Sequence, residues 1–98
     1  MKSPLEVIQK NDKDLFDAVM ANGKMAYADG ALGRKEKLLM AMAIDATHGA
    51  VDGVHSLALQ SKEAGATPSQ IMEAVRVAFA VSGTGALFTA ARGLDGVL

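Results

Sequence analysis

Apolar residues along this chain recur at helical spacing. Phe16, Met20, Gly23 and Tyr27 fall at i, i+4, i+7 and i+11, one stripe of an α-helix. Ile71, Val75, Ala78 and Ser82 repeat such a stripe further on. The run from Leu38 to Ile44 is apolar all round, the mark of a helix buried on most sides. Valine and isoleucine do not alternate with polar residues between hairpin turns, so no strand is expected.

Polar and special residues punctuate the stripes. Ser3-Pro4-Leu5-Glu6 fits a capping box and opens a short helix over about residues 4–9. Asp12 can cap a second helix reaching about residue 28. Gly23 inside that helix costs about 1 kcal/mol against Ala and suggests a close backbone contact. A third helix starts near Gly33 or Arg34 behind a charged collar, Arg34 to Lys37, and stops at Gly49 with His48 against its C-terminal dipole. Asp52 can cap a fourth helix over about residues 53–64, closed by Gly65. Thr67-Pro68-Ser69-Gln70 is a second capping box and opens a fifth helix. Ser82-Gly83-Thr84-Gly85 breaks or kinks it, a last helix covers about residues 85–94, and the Gly93–Gly96 tail is expected to fray. The pattern predicts an all-α fold of five or six helices with short loops.

Composition narrows the possibilities. With 98 residues the chain is one domain. Half of it is apolar, and the net charge is -1, which argues against disorder and against a nucleic-acid surface. Small residues dominate the apolar set, so each buries little area. A short chain this apolar carries more apolar surface than one copy hides, and a homo-oligomer is expected. The longest uncharged stretch, residues 77–91, is shorter than a membrane span and holds Ser82, Gly83, Thr84 and Gly85. No membrane, no cofactor and a cytoplasmic location are expected. The absence of cysteine excludes disulfides, thiolate metal sites and a thiol nucleophile.

Three segments carry a resemblance. They are Asp29-Gly30-Ala31-Leu32 with Arg34 to Ala43, then Ala64 to Thr67 with Gln70 to Ala74, then Ser82 to Leu87. In this order and spacing they resemble the carboxymuconolactone decarboxylase family, which includes the alkylhydroperoxidase D-like proteins. The similarity spans about residues 15–94. It implies a helical fold built around a helical hairpin and an obligate homo-oligomer, a homotrimer or homohexamer. The redox branch carries a glutamate, then a Cys-x-x-Cys-x-x-x-His stretch. Ungapped, the glutamate position falls on Leu38, the cysteines on Ala50 and Gly53, and the histidine on Leu57. Disulfide exchange through the chain's own thiols is therefore impossible, and the decarboxylase branch's histidine is missing from its usual place.

Four ionisable residues remain in the replaced region: Asp45, His48, Asp52 and His55. On one uninterrupted helix their spacings of 3, 4 and 3 would hold them within an arc of about 80°. Such a set could orient a histidine base or ligate zinc, iron or manganese. Gly49 and Gly53 argue against a continuous helix, and Asp52 and His48 have sufficient roles at helix ends. Two readings follow. In the first, the protein is a cofactor-free lyase or related enzyme acting on a small acidic or lactone substrate. His55 moves the proton, Asp52 or Asp45 orients it, and His48 lies nearby. In the second, it is a non-catalytic oligomeric scaffold or small-ligand binding module with an erased active site. A metal site built from the Asp and His residues is a third idea.

Overall fold

The computed structural model describes residues 3–98. Among them there are six α-helices and no strand: α1 (Leu5–Asn11), α2 (Lys13–Tyr27), α3 (Arg34–Thr47), α4 (Val51–Glu63), α5 (Pro68–Ser82) and α6 (Thr84–Gly93). The all-α expectation holds. No helix among the described residues is long and apolar enough to cross a membrane.

Side-chain caps set several of the boundaries. Asp12 Oδ1 accepts from the Leu15 backbone N–H at 3.0 Å and starts α2. Thr67 and Gln70 form the full reciprocal box at the head of α5. The box expected from Ser3 and Glu6 is not formed: Pro4 is the N-cap of α1 without a side-chain cap bond, and the Ser3 hydroxyl accepts from the Leu5 backbone N–H instead. The head of α3 is capped from a distance. Asp29 Oδ1 accepts from the Arg34 backbone N–H at 2.7 Å, and Lys37 Nζ donates to the Ala28 carbonyl at 2.6 Å. Part of the charged collar therefore fastens the loop between α2 and α3. Gly83, at φ 80 and ψ -157, sits where side chains do not fit and turns α5 directly into α6.

Helices α3 to α6 form the core. Met42 and Ala46 of α3 meet Val54 and Ala58 of α4, Ile71, Val75 and Ala78 of α5, and Ala86 and Ala90 of α6, and Leu38 of α3 is fully buried as well. Small side chains let α4 and α6 approach closely. A Cβ on Gly93 would stand 2.9 Å from the Val51 carbonyl oxygen and 2.5 Å from Val54 Cγ1.

Several expectations are corrected. The stretch from Leu38 to Ile44 is buried on one face only, because Met40 and Ile44 are exposed. Helices α1 and α2 bury no residue, and nothing lies within 4 Å of a Cβ built on Gly23, so the close contact expected there is absent within one copy. Ser82 is exposed rather than sharing the buried face of α5. The tail is held: Leu94 and Val97 are buried, and Lys62 Nζ donates to the Val97 carbonyl. Fraying was expected from the glycines alone, and those two apolar residues outweigh them.

Gly93→Ala should reveal the α4–α6 contact. An exposed helical Gly→Ala change gains about 1 kcal/mol. Here the added methyl meets Val54 and the Val51 carbonyl, so urea unfolding should show a loss of about 1–3 kcal/mol. A gain would mean that the two helices can part freely.

Candidate functional site

Asp45 and His48 close α3, and Asp52 and His55 lie on the first two turns of α4. The chain turns between them. His48 is the C-cap, its N–H shared between the carbonyls of Ile44 and Asp45 at 3.2 Å each. Gly49 follows at φ 75, a left-handed conformation that releases the chain from the helix. Helix α4 begins at Val51 with Ala50 as its N-cap and no side-chain cap bond. Asp52 is therefore not the cap that its position suggests. It lies inside the first turn, where a negative charge still favours the helix dipole. The turn also means that the four residues do not share one helical arc.

Asp45 reaches from α3 to α4. Its carboxylate rests over the Cα of Gly53, where a side chain at position 53 would begin: a Cβ there would collide with Oδ2 and stand 2.9 Å from Cγ. The half-buried carboxylate thus sits beside the positive end of α4. Gly53 is the reason it can. A helical glycine is a local loss of stability, and here the vacant face is taken by a carboxylate from the neighbouring helix.

His55 faces another element. Its Nδ1 lies 2.9 Å from the Gly93 carbonyl oxygen at the end of α6. That oxygen can only accept, so Nδ1 carries the proton. In the neutral ring Nε2 keeps its lone pair. The missing side chain at Gly93, which lets α6 approach α4, places its carbonyl within reach of the imidazole. Among the described residues neither aspartate is hydrogen-bonded to either histidine, and no three His, Asp or Glu residues gather as a metal-holding group. A cleft of about 360 Å³ opens between α5, α6 and the tail, lined by Met72, Val75, Leu87, Leu94 and Leu98 with Asp95. None of the four candidate residues lines it.

The model of the carboxymuconolactone decarboxylase family matches residues 13–95. The chain belongs to this family. Among solved structures it is similar to an apo carboxymuconolactone decarboxylase family protein from Legionella pneumophila. The two share 25% sequence identity at a TM-score of 0.87, over 93% of this chain and 81% of that one. No curated protein matches.

Family membership gives the replaced positions a structural reading. Leu38, at the glutamate position, has no exposed surface. Leu57, at the histidine position, is half-buried against the core. Ala50 and Gly53, at the cysteine positions, are the cap of α4 and the seat of the Asp45 carboxylate. Where this family's redox branch has acid, thiol and imidazole, this chain has aliphatic packing and one carboxylate. Sequence reasoning named Asp45 and His55 but missed their partners, Gly53 and Gly93. Each is a helical glycine, and that costly placement was the available signal.

The seat of Asp45 is testable by a double-mutant cycle. Gly53→Ala should stabilise an Asp45→Ala background by up to about 1 kcal/mol, because the space over position 53 is then empty. With Asp45 present, the gain should vanish or reverse in chemical denaturation. Equal gains in both backgrounds would place the carboxylate elsewhere.

Proposed function

We propose that this chain is a non-catalytic member of the carboxymuconolactone decarboxylase family: a helical binding module that keeps the fold and has closed the interior reaction site. The observation that carries this reading is the complete burial of Leu38 at the position of the family's glutamate. A fully enclosed leucine side chain offers neither a proton nor room for a substrate. Leu57, half-buried against the core, puts an aliphatic side chain where the family has its imidazole. Thiol peroxidase chemistry through the chain's own cysteines is excluded, because there are none. The apolar cleft between α5, α6 and the tail is of the size class that takes small molecules.

A second reading rests on His55. The bond from Nδ1 to the Gly93 carbonyl fixes the ring and its tautomer and leaves Nε2 as a base on an exposed residue. In that reading the chain is a cofactor-free lyase on a small acidic or lactone substrate. His55 transfers the proton, Asp52 stands one helical turn before it, and Asp45 and His48 lie beyond the Gly49 turn.

One set of assays separates the two. The wild-type chain and His55→Gln are given a carboxylated γ-lactone, and separately a hydroperoxide with a dithiol reductant. The non-catalytic reading expects no turnover above the uncatalysed rate from either protein. Lactone turnover by the wild type that disappears in His55→Gln overturns it in favour of proton transfer at His55.

A further inference from the structure

A cavity of about 350 Å³ lies where the N-terminal helix pair meets the core. Leu5 of α1 and Val19 and Met20 of α2 form its apolar side, while Arg34 of α3 and Gln60 of α4 belong to the core side. It shares no residue with the cleft between α5, α6 and the tail, and none with the His55–Gly93 pair.

Its charge is one-sided. Lys24 and Arg34 both line it, and no carboxylate does. Among the described residues neither cation is in an ion pair. The side-chain partner of the Arg34 guanidinium is Gln60 Oε1 at 3.5 Å, the far limit of a hydrogen bond. Other charges nearby in sequence are engaged. Lys37 Nζ donates to the Ala28 carbonyl, Lys13 pairs with Asp17, and the Asp29 carboxylate accepts from the Arg34 backbone N–H. Two unpaired cations beside one concave apolar surface favour an anion there.

The shape indicates the rest of the ligand. Gly23 lines the cavity between Met20 and Tyr27 on the same stripe of α2. A glycine inside a helix is less stable than alanine, and nothing lies within 4 Å of a Cβ built at this one. No packing within the chain requires it, and its missing side chain leaves the floor of the cavity open. A second cavity of about 230 Å³ adjoins the first, because Leu5 and Met20 line both. Phe16 extends the apolar wall there, and Glu6 places a negative charge at that end. One anionic head therefore fits at Lys24 and Arg34, and a second anionic group toward Glu6 does not.

We propose that this cavity binds an apolar monocarboxylate. The carboxylate sits between the Arg34 guanidinium, a fork suited to its two oxygens, and the Lys24 ammonium. The hydrocarbon body lies over Gly23 and runs toward Phe16. Bound there, it covers Val19 and Met20, which the chain itself leaves exposed, and it joins α2 to α3 and α4. The proposal stands apart from the closed interior site. Turnover at His55 would leave it intact, and a failure to bind would leave Leu38 as buried as before.

Calorimetric titration of the full chain with decanoate, below its micellar concentration, tests the assignment. One decanoate should bind per chain, and decylammonium, with the same tail and the opposite charge, should bind about tenfold more weakly or not at all. Lys24→Gln with Arg34→Gln should weaken decanoate about tenfold or more. Lys10→Gln with Arg92→Gln removes the same charge at residues off the cavity and should leave binding unchanged. Gly23→Leu makes α2 a better helix and fills the floor, so it should also weaken binding about tenfold. No saturable decanoate binding, equal binding of decylammonium, an equal loss in the two charge pairs, or full binding by Gly23→Leu each overturns the proposal.

Hydrogen exchange locates the bound molecule. Saturating decanoate should slow amide exchange across α2 in the wild type and not in Gly23→Leu, because a ligand that binds the docked pair opposes its opening. Protection confined to α5, α6 and the tail would put the ligand in the other cleft and overturn the assignment.

Discussion

The approach of α4 to α6 at Val54 and Gly93 is the constraint from which the rest follows. Val54 is fully buried, and its side chain occupies the space that a Cβ on residue 93 would need. This contact lets α6 lie against α4 and carry its last carbonyl to His55. It also directs the chain end back over the core, where Leu94 and Val97 are buried and Lys62 holds the Val97 carbonyl. A larger residue at 93 would disturb the packing, the imidazole and the tail together.

Helix placement was legible in the sequence where a side chain satisfies a helix end directly. Asp12 and the Thr67–Gln70 box are local, and their roles follow from spacing alone. The cap on α3 was not legible, because Asp29 reaches it across a loop whose path the pattern does not give. Asp52 misled for the opposite reason. It is a good capping residue, but the Gly49 turn delivers the chain to α4 two residues earlier. The stripe on α5 identified its inner face at Ile71, Val75 and Ala78 but not at Ser82. On α3 no face was legible, and the exposure of Met40 and Ile44 was missed, since an all-apolar run carries no polar residue to mark its solvent side.

The same limit applies to the site. Spacing suggested one arc of four ionisable residues, and that arc required one helix. In the folded chain the turn after His48 divides them into pairs, and one member of each pair looks to a different neighbour. Asp45 rests on Gly53, and His55 bonds to Gly93. The scaffold is shared with a solved family member at a TM-score of 0.87 and 25% identity. The fold depends on helix faces and turns that many aliphatic residues can supply, whereas a reaction site depends on particular atoms, so likeness of fold does not carry likeness of chemistry.

Helices α1 and α2 contribute no buried residue, yet they hold nearly a quarter of the chain's length. In a single copy this gives the molecule two scales of stability. The four-helix core opens only with global unfolding, while the N-terminal pair opens locally at little free-energy cost. Its amide protons should then exchange early, and its helical signal should melt ahead of the core. A thermal curve recorded by far-ultraviolet circular dichroism then sums two transitions, and a two-state fit returns an enthalpy below that of the core.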